Sequence, residues 1–376
     1  MRSRTSAETG AGSATKIAAR IEMSATVSAE TTMKTETDMK TDAAEETPAM
    51  HLAVAMDRYA HTQPLFDGTI RMPGLALERV EVPLGQVFKR FWQDAPWPVV
   101  EMSLGKFVAL LSRQTLDCIA LPIFPYRVFR HGAWYVLHDN PLTPTQLRGK
   151  RVGLSDWPLT AAIYARALLT QQYGVALEDI HWVEAGLEAP SRITAEPTAV
   201  DGMDITRVAD RSLVDLLRTG DLDAIIAPHL SAVSSEGLRH LLPDHARDAR
   251  RDWRATGVFP IMHVMLLRGD VERDRPGTAA QLMAGFHAAK VHCMAEFDAA
   301  GATPYPLPLL DAHLADLRAI MGHDVWPYGV EPNRVTLDAF LNFAHAQGVT
   351  PYRMSIEEVF PLACEPAPPA GNSTAN

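Results

Sequence analysis

From Met50 onward, short apolar runs alternate along the chain with longer segments of helical periodicity. The runs typical of strands are HLAVAM, VVEMS, CIALPIF, AWYVL, KRVGL, HWVEA, DAIIA and VFPIMHVMLLR, and LALERVEV alternates as a half-buried strand does. Helical patterns occur in QVFKRFWQ, LGKFVALLSR and AAIYARALLTQQYG, and they dominate after VFPIMHVMLLR. Ser103 and Thr160 stand where the second and third of these helices begin, and Gly174 stands where the third ends. The alternation predicts an α/β fold with one mainly parallel sheet, or two, covered by helices.

The two ends of the chain differ in composition from the part between them. Residues 1–49 are rich in Ala, Thr, Glu and Ser and contain no aromatic residue, so they are predicted to be disordered. The tail over residues 363–376 is rich in Pro, Gly and Ser and is also predicted to be disordered. The longest apolar run of the first segment, Ile17 to Ala19, is shorter than the roughly 7–15 residues of a secretory signal. We therefore expect a cytoplasmic protein.

Charge and cysteine content exclude several classes of function. The net charge of −10 argues against a nucleic-acid partner, which requires a basic surface. No stretch of about 18 apolar residues predicts a membrane span. The three cysteines lack the number and spacing of a disulfide framework or a metal site, and no nucleotide-binding glycine motif occurs. We therefore expect neither a metal nor a cofactor.

The most unusual stretch of the chain is FPYRVFRHG, which follows the apolar run CIALPI. It places Arg127, Arg130 and His131 where a buried strand ends. Ligands in parallel α/β folds bind beyond the carboxyl ends of strands. These side chains therefore either lie at a surface corner or face a pocket that binds an anion.

Other candidates for ligand binding also follow strands. Arg58 comes directly after the first strand and is a second candidate for binding an anion. Thr160 lies at a helix start, where free N–H groups bind carboxylates, and Ser103 lies at another, where it is also an N-cap. Trp157 either stacks on an aromatic ligand or packs at a corner of the fold.

Several motifs resemble a known family. The segments EMSL, ALPIFPYRVFRHGAWYV, TGVFPIMHV and MGHDVWPYGVEPNRVTLDAF are similar, in this order, to the 4,5-dihydroxyphthalate decarboxylase family. The similarity runs from about Leu52 to about Phe360. LRGKRVGL resembles the start of the second domain in type 2 periplasmic-binding-protein folds. The chain departs from the family pattern at Gly132, in SDWPLTA and in APHLSAVSS, so the substrate could differ even where the reaction does not.

The resemblance implies a two-lobed type 2 periplasmic-binding-protein-like fold with two hinge crossings. The first lobe would comprise residues 50–136 and 265–362, and the second would comprise residues 137–264. FRHGAWYV and FPIMHVML would be the crossings, with the ligand cleft between the lobes. Arg127, Arg130 and His131 would then stand at the hinge, facing the ligand.

The implied reaction is the removal of one carboxylate from a dihydroxylated aromatic acid without a cofactor. Such a reaction needs an arginine to hold the carboxylate that stays and a general acid, for which His131 and His263 are the candidates. Arg58, Ser103, Arg127, Arg130, Trp157 and Thr160 are the candidates for substrate binding. The expected partner is a small aromatic carboxylate, and the sequence leaves open whether the protein forms a homo-oligomer. The alternatives are a binding protein of an ABC-type importer for a small carboxylate and another lyase on the same fold.

Overall fold

The computed structural model of the protein describes residues 49–91, 93–191, 199–298 and 307–364. The two segments predicted to be disordered, residues 1–49 and 363–376, lie outside these ranges apart from residue 49 and the backbone of residues 363 and 364. Within the described ranges, no helix combines the length and the apolar character that crossing a membrane requires.

The strands lie close to the apolar runs that predicted them. They are β1 (Met50–Ala55), β2 (Leu75–Val80), β3 (Val99–Ser103), β4 (Cys118–Leu121), β5 (Trp134–Leu137), β6 (Arg151–Leu154), β7 (His181–Gly186), β8 (Asp204–Ser212), β9 (Ala224–Ile226), β10 (Leu238–His240) and β11 (His263–Arg268). The pattern missed β8 and β10. It also extended the last strand too far, because VFPIMHVMLLR forms a strand only from His263 onward.

These strands form two sheets, which confirms the predicted two-lobed α/β fold. The first sheet has the order β2-β1-β3-β11-β4, in which β11 is antiparallel to both its neighbours. The second has the order β10-β5-β9-β6-β7-β8, in which β6 to β9 are parallel and β5 is antiparallel to β9 and β10. The boundaries expected after residues 136 and 264 fall inside β5 and β11. Hydrogen bonding assigns β5 to the second sheet and β11 to the first.

The chain passes between the sheets twice, and the two passages pair with each other. The outward segment leaves β4 and enters β5, and the return segment leads from β10 through a helix into β11. Arg127 and Ile261 form an isolated antiparallel bridge. The Val128 N–H donates to the Pro260 carbonyl at 3.3 Å, and the Met262 N–H donates to the Tyr126 carbonyl at 3.0 Å. The segments around Arg127 and Ile261 are therefore the physical hinge.

Helices cover both sheets. They are α1 (Leu84–Arg90), α2 (Leu104–Leu111), α3 (Thr160–Tyr173), α4 (Leu213–Arg218), α5 (Ala232–Ser235), α6 (His245–Thr256), α7 (Gly269–Asp274), α8 (Thr278–Asp298), α9 (Leu310–Met321), α10 (Arg334–Ala346), α11 (Ile356–Val359) and α12 (Pro361–Cys364). As predicted, α3 begins at Thr160 and ends at Gly174, whose φ of 61° is the left-handed conformation that glycine tolerates best. The segment HARDARRDWR forms most of α6, of which only Ala249 is buried.

Candidate active site

The buried carboxylate of Glu101 is the anchor of the candidate site. Glu101 is 0% exposed in the middle of β3, a strand that is buried at every position. Its Oε1 lies 2.6 Å from the Tyr59 hydroxyl and 2.5 Å from Nδ1 of His263. Its Oε2 accepts a hydrogen bond from the Asp57 backbone N–H at 2.9 Å. Because both oxygens are hydrogen-bonded in a buried position, the carboxylate holds Tyr59 and His263 in fixed places.

The topology of the first sheet brings these groups together. Strand β3 lies between β1 and β11. Asp57 and Tyr59 follow the end of β1, and His263 is the first residue of β11, paired in register with Ser103. Side chains from the strands on both sides of β3 therefore contact Glu101. This contact lies near the end of the sheet that the hinge joins.

His263 has the surroundings of a general acid–base group. An ionised carboxylate only accepts hydrogen bonds, so Nδ1 carries the hydrogen that faces Glu101. No described residue is hydrogen-bonded to the other ring nitrogen, Nε2. The ring lies 5.3 Å from that of Phe88 in an edge arrangement and 5.2 Å from that of Tyr126. The side chain is 14% exposed.

Tyr59 is held as a neutral phenol. Burial and the negative charge of Glu101 both raise the pKa of its hydroxyl above the ordinary value. Its ring stacks on that of Tyr126 with centroids 6.1 Å apart. Tyr59 therefore donates to Glu101 and forms one aromatic surface with Tyr126, which also contacts His263.

Arg130 lies on the hinge beside the same aromatic surface. Its Nε contacts the sulfur of Met262 at 3.0 Å, and one terminal nitrogen donates to the Pro228 carbonyl, beyond β9 in the second sheet, at 2.9 Å. The guanidinium carbon lies 5.7 Å from the centre of the Tyr126 ring. Burial lowers the pKa of Arg130 from its ordinary value. Arg130 and His263 thus both lie beside the Tyr126 ring.

Arg127 has a different environment from Arg130. Its terminal nitrogens donate to Oδ1 of Asn333 at 2.8 Å and to the carbonyls of Pro327 and Phe259 at 3.1 and 2.7 Å. The guanidinium also stacks on the Phe259 ring at 4.3 Å. Burial lowers the pKa of Arg127 to about 9. These contacts describe an arginine that braces the hinge.

Ser103 and Thr160 meet where the two lobes touch. Their hydroxyl oxygens are 2.9 Å apart, and the Gly105 N–H donates to Oγ1 of Thr160 at 2.8 Å. Ser103 occupies the N-cap position of α2 as predicted, but its hydroxyl makes no capping hydrogen bond. A Cβ on Gly105 would lie 2.2 Å from the Pro158 carbonyl oxygen, so only glycine permits this approach. The two helix starts are therefore closed against each other.

Arg58 and Trp157 lie apart from the Glu101 cluster. The Arg58 side chain, expected to bind an anion, is 70% exposed and forms an ion pair with Glu81. Trp157 is 0% exposed, its Nε1 donates to the Gln347 carbonyl at 2.9 Å, and Arg166 stacks on its ring at 3.8 Å. Between stacking on a ligand and packing at a corner of the fold, this geometry favours packing for Trp157.

His131 and His263 occupy different sites. His131 is 4% exposed in a single 3₁₀ turn, with Nε2 lying 3.5 Å from Oδ2 of Asp252 on α6. Neither ring nitrogen has a hydrogen-bond partner within the described ranges. Burial lowers the pKa of His131 to about 4, against an opposing attraction from Asp248. The structure therefore does not join the two candidate histidines into one catalytic pair.

Two buried histidines predict that the protein loses stability in mild acid. Burial lowers the pKa of His131 and that of His61 from 6.5 to about 4, with Lys290 adding to the effect at His61. Between these values the unfolded chain binds protons that the folded chain does not. Stability is therefore full above pH 6.5 and falls as the pH drops towards 4, by on the order of 3 kcal/mol per histidine. Urea unfolding at pH 7.5 and pH 4.5 measures the loss.

A variant of His131 tests whether this histidine causes part of the loss of stability in acid. His131→Gln should lose less stability than the wild type between pH 7.5 and pH 4.5, whereas His51→Gln, at an exposed position of β1, should lose as much as the wild type. Burial raises the pKa of the neighbouring Asp252, which acts in the opposite direction and is present in all three proteins. Equal losses in the wild type and His131→Gln would contradict the assignment.

Sequence reasoning missed Glu101 and Tyr59. The available signal for Glu101 was a carboxylate within VVEMS, a strand that is otherwise apolar apart from its final serine. A charge at such a position is rarely fully buried unless it has partners. Tyr59 follows β1, the position from which Arg58 was chosen instead.

The fold and the site together define a two-lobed α/β protein in which a histidine bound to a buried carboxylate and a buried arginine lie at the hinge. The chain is 30% identical over 317 residues to a 4,5-dihydroxyphthalate decarboxylase of Comamonas testosteroni. The match covers 83% of this chain and 96% of the relative. The chain is 28% identical over 210 residues to a protein of the same name from Pseudomonas putida, covering 54% of this chain and 81% of the relative. No protein-family model matches the chain.

Among solved structures, the chain is similar to the periplasmic aliphatic sulphonate binding protein SsuA from Escherichia coli. The similarity has a TM-score of 0.48 and 14% identity, and it covers 82% of this chain and 91% of that protein. The sequence relatives establish the family. The chain belongs to the 4,5-dihydroxyphthalate decarboxylase family, and it is an enzyme of the carboxy-lyase type.

Proposed function

We propose that the protein removes one carboxylate from a dihydroxylated aromatic dicarboxylate, converting 4,5-dihydroxyphthalate to protocatechuate and CO2. The observation that supports this most strongly is His263, held by the buried Glu101 and lying, like Arg130, beside the Tyr126 ring. A proton donor and a carboxylate-binding cation beside one aromatic surface are the groups that this reaction needs. The names of the relatives indicate the same substrate.

Arg130 binds the carboxylate that stays on the ring. A guanidinium presents donors in one plane, which matches the two oxygens of a carboxylate. One terminal nitrogen is held by the Pro228 carbonyl. The guanidinium has one further polar neighbour, the side chain of Tyr126. Since its present contacts are neutral, the cation gains a charged partner only when substrate binds.

His263 supplies the proton that replaces the carboxylate. Its Nε2 donates a proton to the ring carbon as the C–C bond to the departing carboxylate breaks, and CO2 leaves without the bonding electrons. Those electrons form the new C–H bond, and water returns a proton to Nε2. Glu101 stabilises the protonated form of His263 between turnovers through Nδ1. The rings of Tyr59 and Tyr126 provide an aromatic wall for the substrate ring.

A panel of three acids tests the proposal. The purified enzyme is incubated with 4,5-dihydroxyphthalate, with phthalate, which lacks the hydroxyl groups, and with protocatechuate, which lacks the second carboxylate. We expect turnover of 4,5-dihydroxyphthalate alone, measured by chromatography as equal amounts of protocatechuate formed and substrate lost. Tight binding of 4,5-dihydroxyphthalate without product would instead favour a binding protein.

Arg130→Lys should weaken substrate binding more than it slows turnover. Lysine keeps the charge but loses the planar pair of donors, and one charge-assisted hydrogen bond contributes about 1.5–3 kcal/mol. We expect KM to rise about 10- to 100-fold with a smaller change in kcat. Steady-state kinetics with 4,5-dihydroxyphthalate provides the measurement.

Arg127→Lys is the matched control. Arg127 binds Asn333 and backbone carbonyls, so its replacement should lower the thermal unfolding temperature while leaving KM within about threefold of the wild type. A rise in KM that is larger in Arg127→Lys than in Arg130→Lys would reverse the roles of the two arginines.

A further inference from the structure

A wide groove opens beside His263 where the two lobes meet. Its volume is about 830 Å³, within the range of small-molecule sites. It is lined from the first lobe by α1 and α2, from the second by the turn before α3, and by the segment after α10. The lining residues are Gly85, Phe88, Lys89, Lys106, Ala109, Leu110, Arg113, Trp157, Pro158, Ala199, Gly348 and Val349.

Among the described residues that line the groove, the charged ones are all positive, although the chain has a net charge of −10. Lys106 is neutralised by Asp156 at 2.7 Å, across the contact between the lobes. Arg113 donates to the carbonyls of Ala109 and Val349 at 2.7 and 2.6 Å, and neither contact cancels its charge. Lys89 forms no ion pair with a described residue. The groove therefore carries at least two uncompensated positive charges.

Phe88 connects the groove with the candidate active site. Its ring lines the groove, and its edge contact with the His263 ring has a centroid distance of 5.3 Å. Lys89 is the next residue on α1. A molecule lying in the groove is thus separated from His263 by a single aromatic side chain.

We propose that this groove is the entry path of the anionic aromatic substrate, with Lys89 attracting its carboxylates and Phe88 forming the partition before His263. The choice of an aromatic dicarboxylate rests on the proposed function. The apolar walls formed by Phe88, Ala109 and Leu110 suit a flat ring, and the cations suit its carboxylates. The direct contact between Ser103 and Thr160 closes the lobes against each other, and the groove stays open as far as Phe88, which contacts His263, in this closed form.

A cationic groove on an acidic protein should accelerate the association of an anion. Local positive potential raises association rates of oppositely charged ligands, and salt screens the effect. Reversing the charge at Lys89 should therefore slow association at low ionic strength and leave it nearly unchanged at high ionic strength. A residue that only stabilises the fold would not produce this salt dependence.

The test measures the association rate of phthalate by stopped-flow tryptophan fluorescence, with Trp157 in the groove wall as a reporter. For Lys89→Glu at about 20 mM ionic strength we expect a rate about 3- to 10-fold below the wild type, converging with it near 0.5 M. Arg247→Glu makes the same charge change at an exposed position of α6, outside the groove, and should keep the wild-type rate. Equal rates for the wild type and Lys89→Glu, or no binding of phthalate to the wild type, would overturn the proposal.

This measurement is independent of turnover, because phthalate lacks the hydroxyl groups of the proposed substrate. If phthalate association depends on the charge at Lys89 but no aromatic dicarboxylate is decarboxylated, the proposed entry path stands and the proposed reaction is wrong. If 4,5-dihydroxyphthalate is decarboxylated but the association rate does not depend on the charge at Lys89, the proposed reaction stands and the proposed entry path is wrong.

Discussion

Replacing His263 by glutamine should lower kcat by about 10²- to 10⁴-fold, the range that a general acid contributes. Glutamine retains much of the size and a polar end, but it has no proton to transfer at neutral pH. The Glu101 carboxylate would stay in place through Tyr59 and the Asp57 N–H, so the fold should persist. KM should stay within about threefold, because Arg130, which we propose binds the retained carboxylate, is unchanged.

Two controls separate this effect from a general loss of structure. His292→Gln alters an exposed histidine on α8, 44% exposed, and should keep the wild-type kcat. His131→Gln alters the other candidate histidine, which contacts Asp252 rather than Glu101, and should keep kcat within about tenfold. If His131→Gln lost more turnover than His263→Gln, the proton donor would be His131, beside α6, instead of His263.

The second large effect is expected for Glu101→Gln. The carboxylate accepts the Nδ1 hydrogen of His263, and an amide in its place can donate to Nδ1 and favour the other tautomer. Nε2 would then carry the hydrogen in the neutral ring, and the protonated form would lose its buried negative partner. We expect kcat to fall about 10²- to 10³-fold, with a smaller change in KM.

The conservative and remote variants make this result specific to the Glu101–His263 contact. Glu101→Asp keeps the charge but shortens the side chain, so its kcat should lie between those of the wild type and Glu101→Gln. Glu78→Gln removes an exposed carboxylate from β2 of the same sheet and should leave kinetics unchanged. A double variant of Glu101→Gln with His263→Gln should be no slower than His263→Gln alone, because the carboxylate acts through the histidine. Additive losses would contradict that dependence.

Much of the fold was predictable because its strands are short and apolar and its helices begin at recognisable residues. Patterns around β1, β3, β4 and β11 lie within single segments of sequence, so they can be detected locally. The boundary of β11 was not detectable in this way. Residues before His263 are as apolar as those within the strand, but they pair with the other hinge segment instead of with β3.

The site was only partly predictable because its main contact joins distant parts of the chain. Glu101 and His263 are 162 positions apart, and no local pattern shows that one carboxylate receives both His263 and Tyr59. Arg127 and Arg130 have the same residue type in the same motif. Only the three-dimensional structure shows that Asn333 and backbone carbonyls occupy the first of them, whereas the second contacts Met262 and lies beside the Tyr126 ring.

The central claim is that the enzyme replaces a ring carboxylate by a proton at the Glu101–His263 site. The most direct measurement is the incubation of the wild type and of His263→Gln with 4,5-dihydroxyphthalate in D2O, with products followed by NMR and mass spectrometry. The account predicts that the wild type forms CO2 and protocatechuate with one deuterium at the vacated ring carbon, and that His263→Gln forms product at least about 100-fold more slowly. Recovery of unchanged substrate from the wild type, or equal rates in the two proteins, would contradict it.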